Sequence, residues 1–246
     1  MVDVAVIMPV YNERACLHQV IEEWVALLKP LDGVLVLCDD GSTDGSDDVC
    51  REWQRLEPQH VVARRHENVG HGPTVYWGYR YALDELRACY VAQADSDGQF
   101  PPAGLDELLK HRRGGVVLGI RRDRQDPLIR RLLSKAMRRM NYALFGVWVE
   151  DANCPVRVIW SGYLERVLPM IPPMTFAPNV LLSLRAAKDG RLFTKPIPHR
   201  PRATGTVTIN RRLLTVCLRN LVELLAFRRN GFRRALDDRT RTQRRH

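Results

Sequence analysis

The 246-residue sequence contains no C-x-x-C pair, no long uninterrupted apolar run and no internal repeat, and each absence removes a class of protein. Six cysteines (Cys16, Cys38, Cys50, Cys89, Cys154 and Cys217) are scattered along the chain, which argues against a zinc site and against a secreted disulfide scaffold. Seven histidines likewise lack metal-ligand spacing, and His66 and His71, flanking a glycine-rich turn, read as loop residues. No stretch reaches the roughly 18 to 20 apolar residues of a spanning helix, so none is expected. Met1-Val2-Asp3-Val4 enters an apolar strand without a basic leader, and the expectation is a cytoplasmic protein, peripheral at most on the cytoplasmic face of a membrane.

What is present is an ordinary globular composition, with 45% hydrophobic and 27% charged residues, long enough for one large domain. The net charge of +10 is uneven. Residues 211–246 hold eleven arginines against Glu223, Asp237 and Asp238, a net +8, so the body is nearly neutral and the end is basic. Nucleic acid, anionic lipid or an acidic partner could each meet such a segment. Arginines confined to one end, without interleaved aromatics or a known motif, make nucleic acid the poorest of these.

Short apolar runs alternate with amphipathic stretches. Val4 to Val10, Gly33 to Asp40, His60 to His66, Tyr90 to Ala94 and Gly115 to Ile120 read as strands. Between them, Leu17, Val20, Ile21, Trp24 and Leu28 keep helical spacing behind a capping Asn12. Val49, Trp53 and Leu56 form a second face, Val75, Tyr79, Leu83 and Leu86 a third, and Leu105, Leu108 and Leu109 a fourth behind Pro101 and Pro102. Asp126 and Pro127 start a helix that stops near Phe145 and Gly146, with Arg130 and Ser134 on one face. Residues 147–160 read as extended, followed by helical pieces at Gly162 to Leu168 and Val180 to Ala187, an edge strand at Leu192 to Pro198, and a last helix from Asn210 to Phe227. The pattern is that of an α/β fold with an open, mostly parallel sheet and helices on both faces, whose sites form beyond the carboxyl ends of the strands. The polar motifs lie at those ends: Tyr11-Asn12-Glu13, Asp39-Asp40, Asp95-Ser96-Asp97-Gly98-Gln99, and Arg121. The carboxylates of Asp95 and Asp97 with the Gln99 amide offer hard oxygens suited to Mg²⁺ or Mn²⁺ and a diphosphate.

Pro9-Val10-Tyr11-Asn12-Glu13, Cys38-to-Gly45, Asn68-x-Gly70-x-Gly72 with Gly78, Asp95-x-Asp97-x-Gln99-x-x-Pro102, Gly119-x-Arg121, Arg130-x-x-x-Ser134, Asn141 and Asp151-to-Arg157 occur in order over about residues 4–210. Together they resemble family 2 inverting glycosyltransferases of the Rossmann-like GT-A fold, and within them the polyprenyl-phosphate sugar transferases similar to dolichol-phosphate mannose synthase. The resemblance implies a nucleotide-sugar donor held by Pro9, Tyr11, Glu13, Asp39, Asp40, Asp95, Ser96 and, from a closing loop, Arg202. It implies a metal on Asp95, Asp97 and Gln99, with Asp97, Arg121 and Asp151 as catalytic candidates. Arg121, Arg130 and Ser134 form the implied acceptor-phosphate pocket. Two departures stand out: Thr208 replaces a lysine of the closing loop, and Asn153-Cys154-Pro155-Val156-Arg157 replaces a segment of small residues before Gly-Phe-Arg.

The expected activity is inverting transfer of a sugar from a GDP- or UDP-linked donor to a polyprenyl phosphate. The alternative is a hydroxyl acceptor with Asp151 as base; a non-catalytic nucleotide-binding or nucleic-acid-binding module ranks below both. The expected organisation is a catalytic domain over 1–210, an amphipathic basic helical segment over 211–236 and a disordered tail over 237–246. In the segment, Leu214, Leu218, Leu221 and Leu225 form a stripe that suits either an anionic membrane surface or the protein's own core. A membrane-anchoring partner protein is a further expected contact.

Overall fold

A computed structural model describes residues 2–121, 128–200 and 221–229, and only the backbone for 128–133. Seven strands form one sheet in the order β3-β2-β1-β4-β6-β5-β7. They are β1 (Val4–Val10), β2 (Val34–Asp39), β3 (Val61–Arg65), β4 (Tyr90–Gln93), β5 (Val116–Arg121), β6 (Arg157–Trp160) and β7 (Leu192–Ile197). Among the described residues only β6 is antiparallel, set between β4 and β5, and the other pairings are parallel. The helices are α1 (Arg14–Leu28), α2 (Ser46–Leu56), α3 (His71–Asp84), α4 (Ala103–Lys110), α5 (Leu128–Phe145), α6 (Ser161–Val167) and α7 (Pro178–Lys188), with residues 221–229 as α8.

Every residue of β1 and β2 is buried, as expected for parallel strands covered on both faces. α1 packs beside α2, and α3 meets α7, which meets α5; with right-handed crossovers, the general rule for parallel strands, α1 and α2 lie on one face and α3 on the other. The chain steps from β1 through β2 to β3, then α3 carries it back to β4 on the opposite side of β1. The gap between the ends of β1 and β4 is therefore a topological switch point, where open α/β sheets leave a crevice. β6 enters antiparallel, so its amino-terminal end, and the loop before it that carries Asp151, lie at the same sheet edge.

The elements expected from sequence are present with some corrections. Asn12 does not cap α1. It sits in the left-handed region (φ 55), where its Oδ1 accepts from the Thr43 N–H at 2.8 Å and its own N–H donates to the Ser42 hydroxyl, tying the β1 turn to the β2 turn. Leu56 is exposed, not packed, and Leu86 lies beyond the end of α3. Residues 147–156 are not extended: a turn occupies 150–153, and only Arg157–Trp160 is strand. Asp126, Pro127 and residues 201–220, including Arg202 and Thr208, lie outside the described residues. Gly146, at φ 69, stops α5 as expected. The described cysteines, Cys16, Cys38, Cys50, Cys89 and Cys154, are all free thiols, and burial pushes Cys154 up to about 12.

α3 lies against β1 at Gly78, where a Cβ would overlap the Ile7 side chain and approach Cys38 Sγ. Overpacking costs about 1–3 kcal/mol, and the better helix propensity of alanine returns roughly 1 kcal/mol. Gly78→Ala is therefore expected to lower the urea midpoint with an unchanged m-value; a midpoint at or above wild type would show that α3 can lift away without cost.

Candidate active site

An open cleft of about 340 Å³ lies at the switch point, lined by the β1 end (Pro9, Val10, Tyr11, Glu13), Asp40, the start of α3 (Asn68, Gly70, His71) and the β4 end (Asp95, Ser96, Asp97). Its walls are cross-tied. The Ser96 hydroxyl donates to the Pro9 carbonyl at 2.8 Å, binding the two strand ends across the switch point. The Glu13 N–H donates to the Ser46 hydroxyl at 3.0 Å, anchoring the far side of the β1 turn. Tyr11 is half exposed at the rim, a flat ring open to a stacking partner.

The two carboxylates at the end of β2 have different fates. Asp40 lines the cleft, but its oxygens accept from the N–H groups of Val69 (2.8 Å) and Gly70 (3.0 Å), so its first task is to shape the turn before α3. Asp39 is buried outside the cleft lining, where one oxygen accepts from the Ser42 N–H and faces Arg65 at 3.5 Å.

Asp95 and Asp97 both reach the cleft. Asp95 Oδ1 is buried with no hydrogen-bond partner, which is costly for a carboxylate oxygen. Burial pushes the Asp95 carboxyl above its ordinary range; His71 opposes the shift, Asp97 adds to it, and Arg121 and Arg157 pull it back. An orphaned anionic oxygen beside a second carboxylate fits a hard divalent cation. Among the described residues, no three His, Cys, Asp or Glu side chains converge to hold a metal alone. That suits Mg²⁺ or Mn²⁺, which take one or two carboxylates and fill the rest of their shell from phosphate oxygens and water. Gln99 is set apart from this pair: it is not part of the cleft lining, its N–H donates to Asp97 Oδ1 at 3.1 Å, and its amide faces the His199 ring at 3.5 Å.

Beyond the cleft lining, Arg121 and Asp151 form a two-pronged pair, Nε to Oδ2 at 2.7 Å and Nη2 to Oδ1 at 2.8 Å, with both side chains largely buried. Such a pair fixes the guanidinium plane. Ser134 is half-buried on α5, and no described contact joins it to Arg121; the Arg130 side chain lies outside the described residues. Arg200 donates to Glu23 of α1 at 3.0 Å, and its backbone N–H donates to the Gln99 carbonyl.

Two features escaped the sequence reading. His71 is a cleft residue beside Asp95, although its position directly after Gly70, at the first turn of a helix, was a usable signal. Arg157 is fully buried; it donates to the carbonyls of Asn179 (3.0 Å), Ala152 and Cys154 and to the Ser183 hydroxyl, with Nε unpartnered.

The family model for "Glycosyl transferase family 2" matches residues 5–159. The undecaprenyl-phosphate 4-deoxy-4-formamido-L-arabinose transferase of Proteus mirabilis is 32% identical over 180 residues, 71% of this chain and 54% of the relative, so the chain spans about half the length of that protein. Glucosyl-3-phosphoglycerate synthase from Mycobacterium tuberculosis, solved with Mn²⁺, UDP and glucosyl-3-phosphoglycerate, is similar with TM-score 0.61 at 19% identity, over 93% of this chain and 80% of that one. A mannosyltransferase from Pyrobaculum calidifontis, solved with GDP-Man and Mn²⁺, has TM-score 0.61 at 19% identity, over 91% of this chain and 63% of that one. At such identities the two structures establish the fold, the GT-A arrangement expected from the sequence.

A carboxyl raised by burial keeps its proton in the folded state after the unfolded chain has released it, so folding stability falls as pH rises between the ordinary and the raised value. Metal-free wild type is expected to lose melting temperature relative to Asp95→Asn across that window, and saturating Mn²⁺ to reverse the order above it. Parallel melting curves for the two proteins at all pH values would contradict the buried acid.

Proposed function

The chain belongs to glycosyl transferase family 2, and on that footing we propose that it moves a sugar from a nucleotide-sugar to a polyprenyl phosphate, with a divalent cation and with inversion at the anomeric carbon. The observation that carries this reading is the pair Asp95 and Asp97 in the switch-point cleft, with a buried carboxylate oxygen that has no protein partner. A polyprenyl phosphate is the acceptor in the name of the Proteus mirabilis relative, and Mn²⁺ accompanies a nucleotide or nucleotide-sugar in both structural neighbours.

Tyr11 stacks on the nucleoside base at the rim, and Glu13 and the cleft face of Asp40 accept from base or ribose hydroxyls. Asp95 and Asp97 hold Mg²⁺ or Mn²⁺, which supplies charge neutralisation for the departing diphosphate. The positive end of the α3 dipole, at Gly70 and His71, favours the same negative charge. Arg121 binds the acceptor phosphate, and Asp151 orients it for that task. One bond forms, from the acceptor phosphate oxygen to the anomeric carbon, as the bond from that carbon to the diphosphate oxygen breaks on the opposite face. The electron pair leaves with the diphosphate. A phosphate monoester has a second pKa of about 6, so its oxygen is already anionic near neutrality and no base is needed.

The hydroxyl-acceptor reading is the weaker one, because it asks Asp151 to take a proton while both its oxygens accept from Arg121. Donor class is tested by thermal stabilisation against UDP- and GDP-sugars with and without Mn²⁺, and acceptor class by offering a short-chain polyprenyl phosphate and the matching polyprenol. Transfer to the alcohol and not to the phosphate would sink the proposal. Asp97→Asn is expected to lower turnover by about 10²-fold or more, the scale of losing one charge-stabilising group, and to weaken Mn²⁺-dependent nucleotide binding. Asp151→Asn is expected to raise KM for the phosphate acceptor with little change in kcat. A collapse of kcat would instead identify Asp151 as a base.

A further inference from the structure

α8 is apolar on two sides, and only one side is covered. Leu224 and Phe227 are each 2% exposed, with the Phe227 ring near Phe145 of α5. The opposite face carries Val222 (60% exposed), Leu225 (46%), Ala226 and Arg229, at the i, i+3, i+4, i+7 spacing of a single helical face. The sequence stripe of Leu221 and Leu225 is thus not the packed face; the helix has turned so that Leu225 points outward. Beside this face, Glu223 accepts from the Thr175 hydroxyl at 2.6 Å and from the Phe176 N–H at 2.9 Å. It thereby holds a loop whose Met174 (63% exposed) and Phe176 (40%) are also uncovered. That loop touches the cleft wall: a Cβ at Gly72, in the first turn of α3, would overlap the Thr175 and Phe176 carbonyls. The bare apolar patch is therefore one contact away from His71 and the donor cleft.

We propose that Met174, Phe176, Val222 and Leu225 dock this protein on an anionic bilayer surface, with Arg228 and Arg229 meeting the lipid headgroups. The inference rests on the polyprenyl-phosphate reading in one respect, that a lipid-linked acceptor presents its phosphate at such a surface. Charge decides among occupants. The face lies in a segment with a net +8, and an amphipathic helix with basic flanks gains from apolar burial and from anionic lipid together. A symmetric second copy would bring the same patch, and hence Arg228 and Arg229, against themselves. Docking here brings the α3 end of the cleft, one contact from the 174–176 loop, close to the membrane surface.

The test is flotation of the full chain with vesicles of phosphatidylcholine, alone and mixed with phosphatidylglycerol. Wild type is expected to float with the mixed vesicles and to be released by salt. Val222→Ser with Leu225→Ser is expected to weaken partition by roughly tenfold or more, since each buried CH₂ contributes about 0.8 kcal/mol. Unchanged Mn²⁺-dependent nucleotide stabilisation certifies that the variant is folded, and Met174→Ser with Phe176→Ser gives a second variant away from the helix. Wild-type flotation by both variants, or no flotation by wild type, overturns the proposal, as does a dimer in light scattering that the same substitutions dissociate. Flotation without transfer to any polyprenyl phosphate would remove the acceptor reading and leave the surface standing. Transfer to a short-chain acceptor in solution without flotation would do the reverse.

Discussion

The fold turns on one buried cation. Arg157, at the start of the antiparallel strand β6, is fully buried, and among the described residues it donates to neutral oxygens. Burying an arginine without a carboxylate costs several kcal/mol unless its donors are satisfied and a negative charge lies within reach. Its donors reach the 152–154 turn on one side and α7 on the other, which fixes the loop that carries Asp151. Asp95 lies within electrostatic reach, and Arg157 opposes the upward shift that burial imposes on its carboxyl. One side chain thus links the Asp95 carboxyl to the turn that carries Asp151.

The same edge shows how much the sequence could reveal. The buried strands were legible because β1 and β2, covered on both faces, need unbroken apolar runs, and the α1 stripe was legible because its period fixes a face. The turn at 150–153 was not, since it depends on a buried Arg157 folding back on the carbonyls of Ala152 and Cys154, and the apolar pattern of the strand gives no sign that its first side chain is an inward-facing cation. Asn12 misled in a related way. A residue suited to capping a helix is also suited to a left-handed turn, and the nearby Ser42 and Thr43 decided for the turn. Asp39 and Asp40 look alike in sequence, yet Asp39, the last residue of β2, turns to the Ser42 N–H, and Asp40, just past it, turns to the cleft. His71 looked like a loop residue only because the start of α3 could not be placed without the Asp40 clamp on Val69 and Gly70.

Position at the sheet edge also divides the work. The β1 and β4 ends, tied by Ser96 to Pro9, form the half that lines the switch-point cleft. Arg121 and Asp151 belong to a second half, built where β5 and the antiparallel β6 meet. Because β6 runs against its neighbours, its preceding loop returns to the same edge as the strand ends, and a residue from late in the chain faces residues from early in it. Without that reversal Asp151 would lie at the opposite edge, and Arg121 would lack the carboxylate that fixes its plane.

The charge balance of the cleft half argues for what it can bind. Two like charges 4 Å apart repel by about 4 kcal/mol at an effective dielectric of 20. Asp95 and Asp97 brought against a diphosphate face that repulsion several times over, and no hydrogen bond shields Asp95 Oδ1 from it. Arg121 and Arg157 ease the Asp95 charge but do not remove the shift that burial imposes. A cleft meant for a neutral ligand gains nothing from a buried acid at its base, and one meant for a bare anion is harmed by it. The arrangement would become favourable if a divalent cation entered together with the anion, because Asp95 and Asp97 would hold it and it would neutralise both. The acid at the end of β4 is in that sense one half of a site whose other half arrives with the substrate.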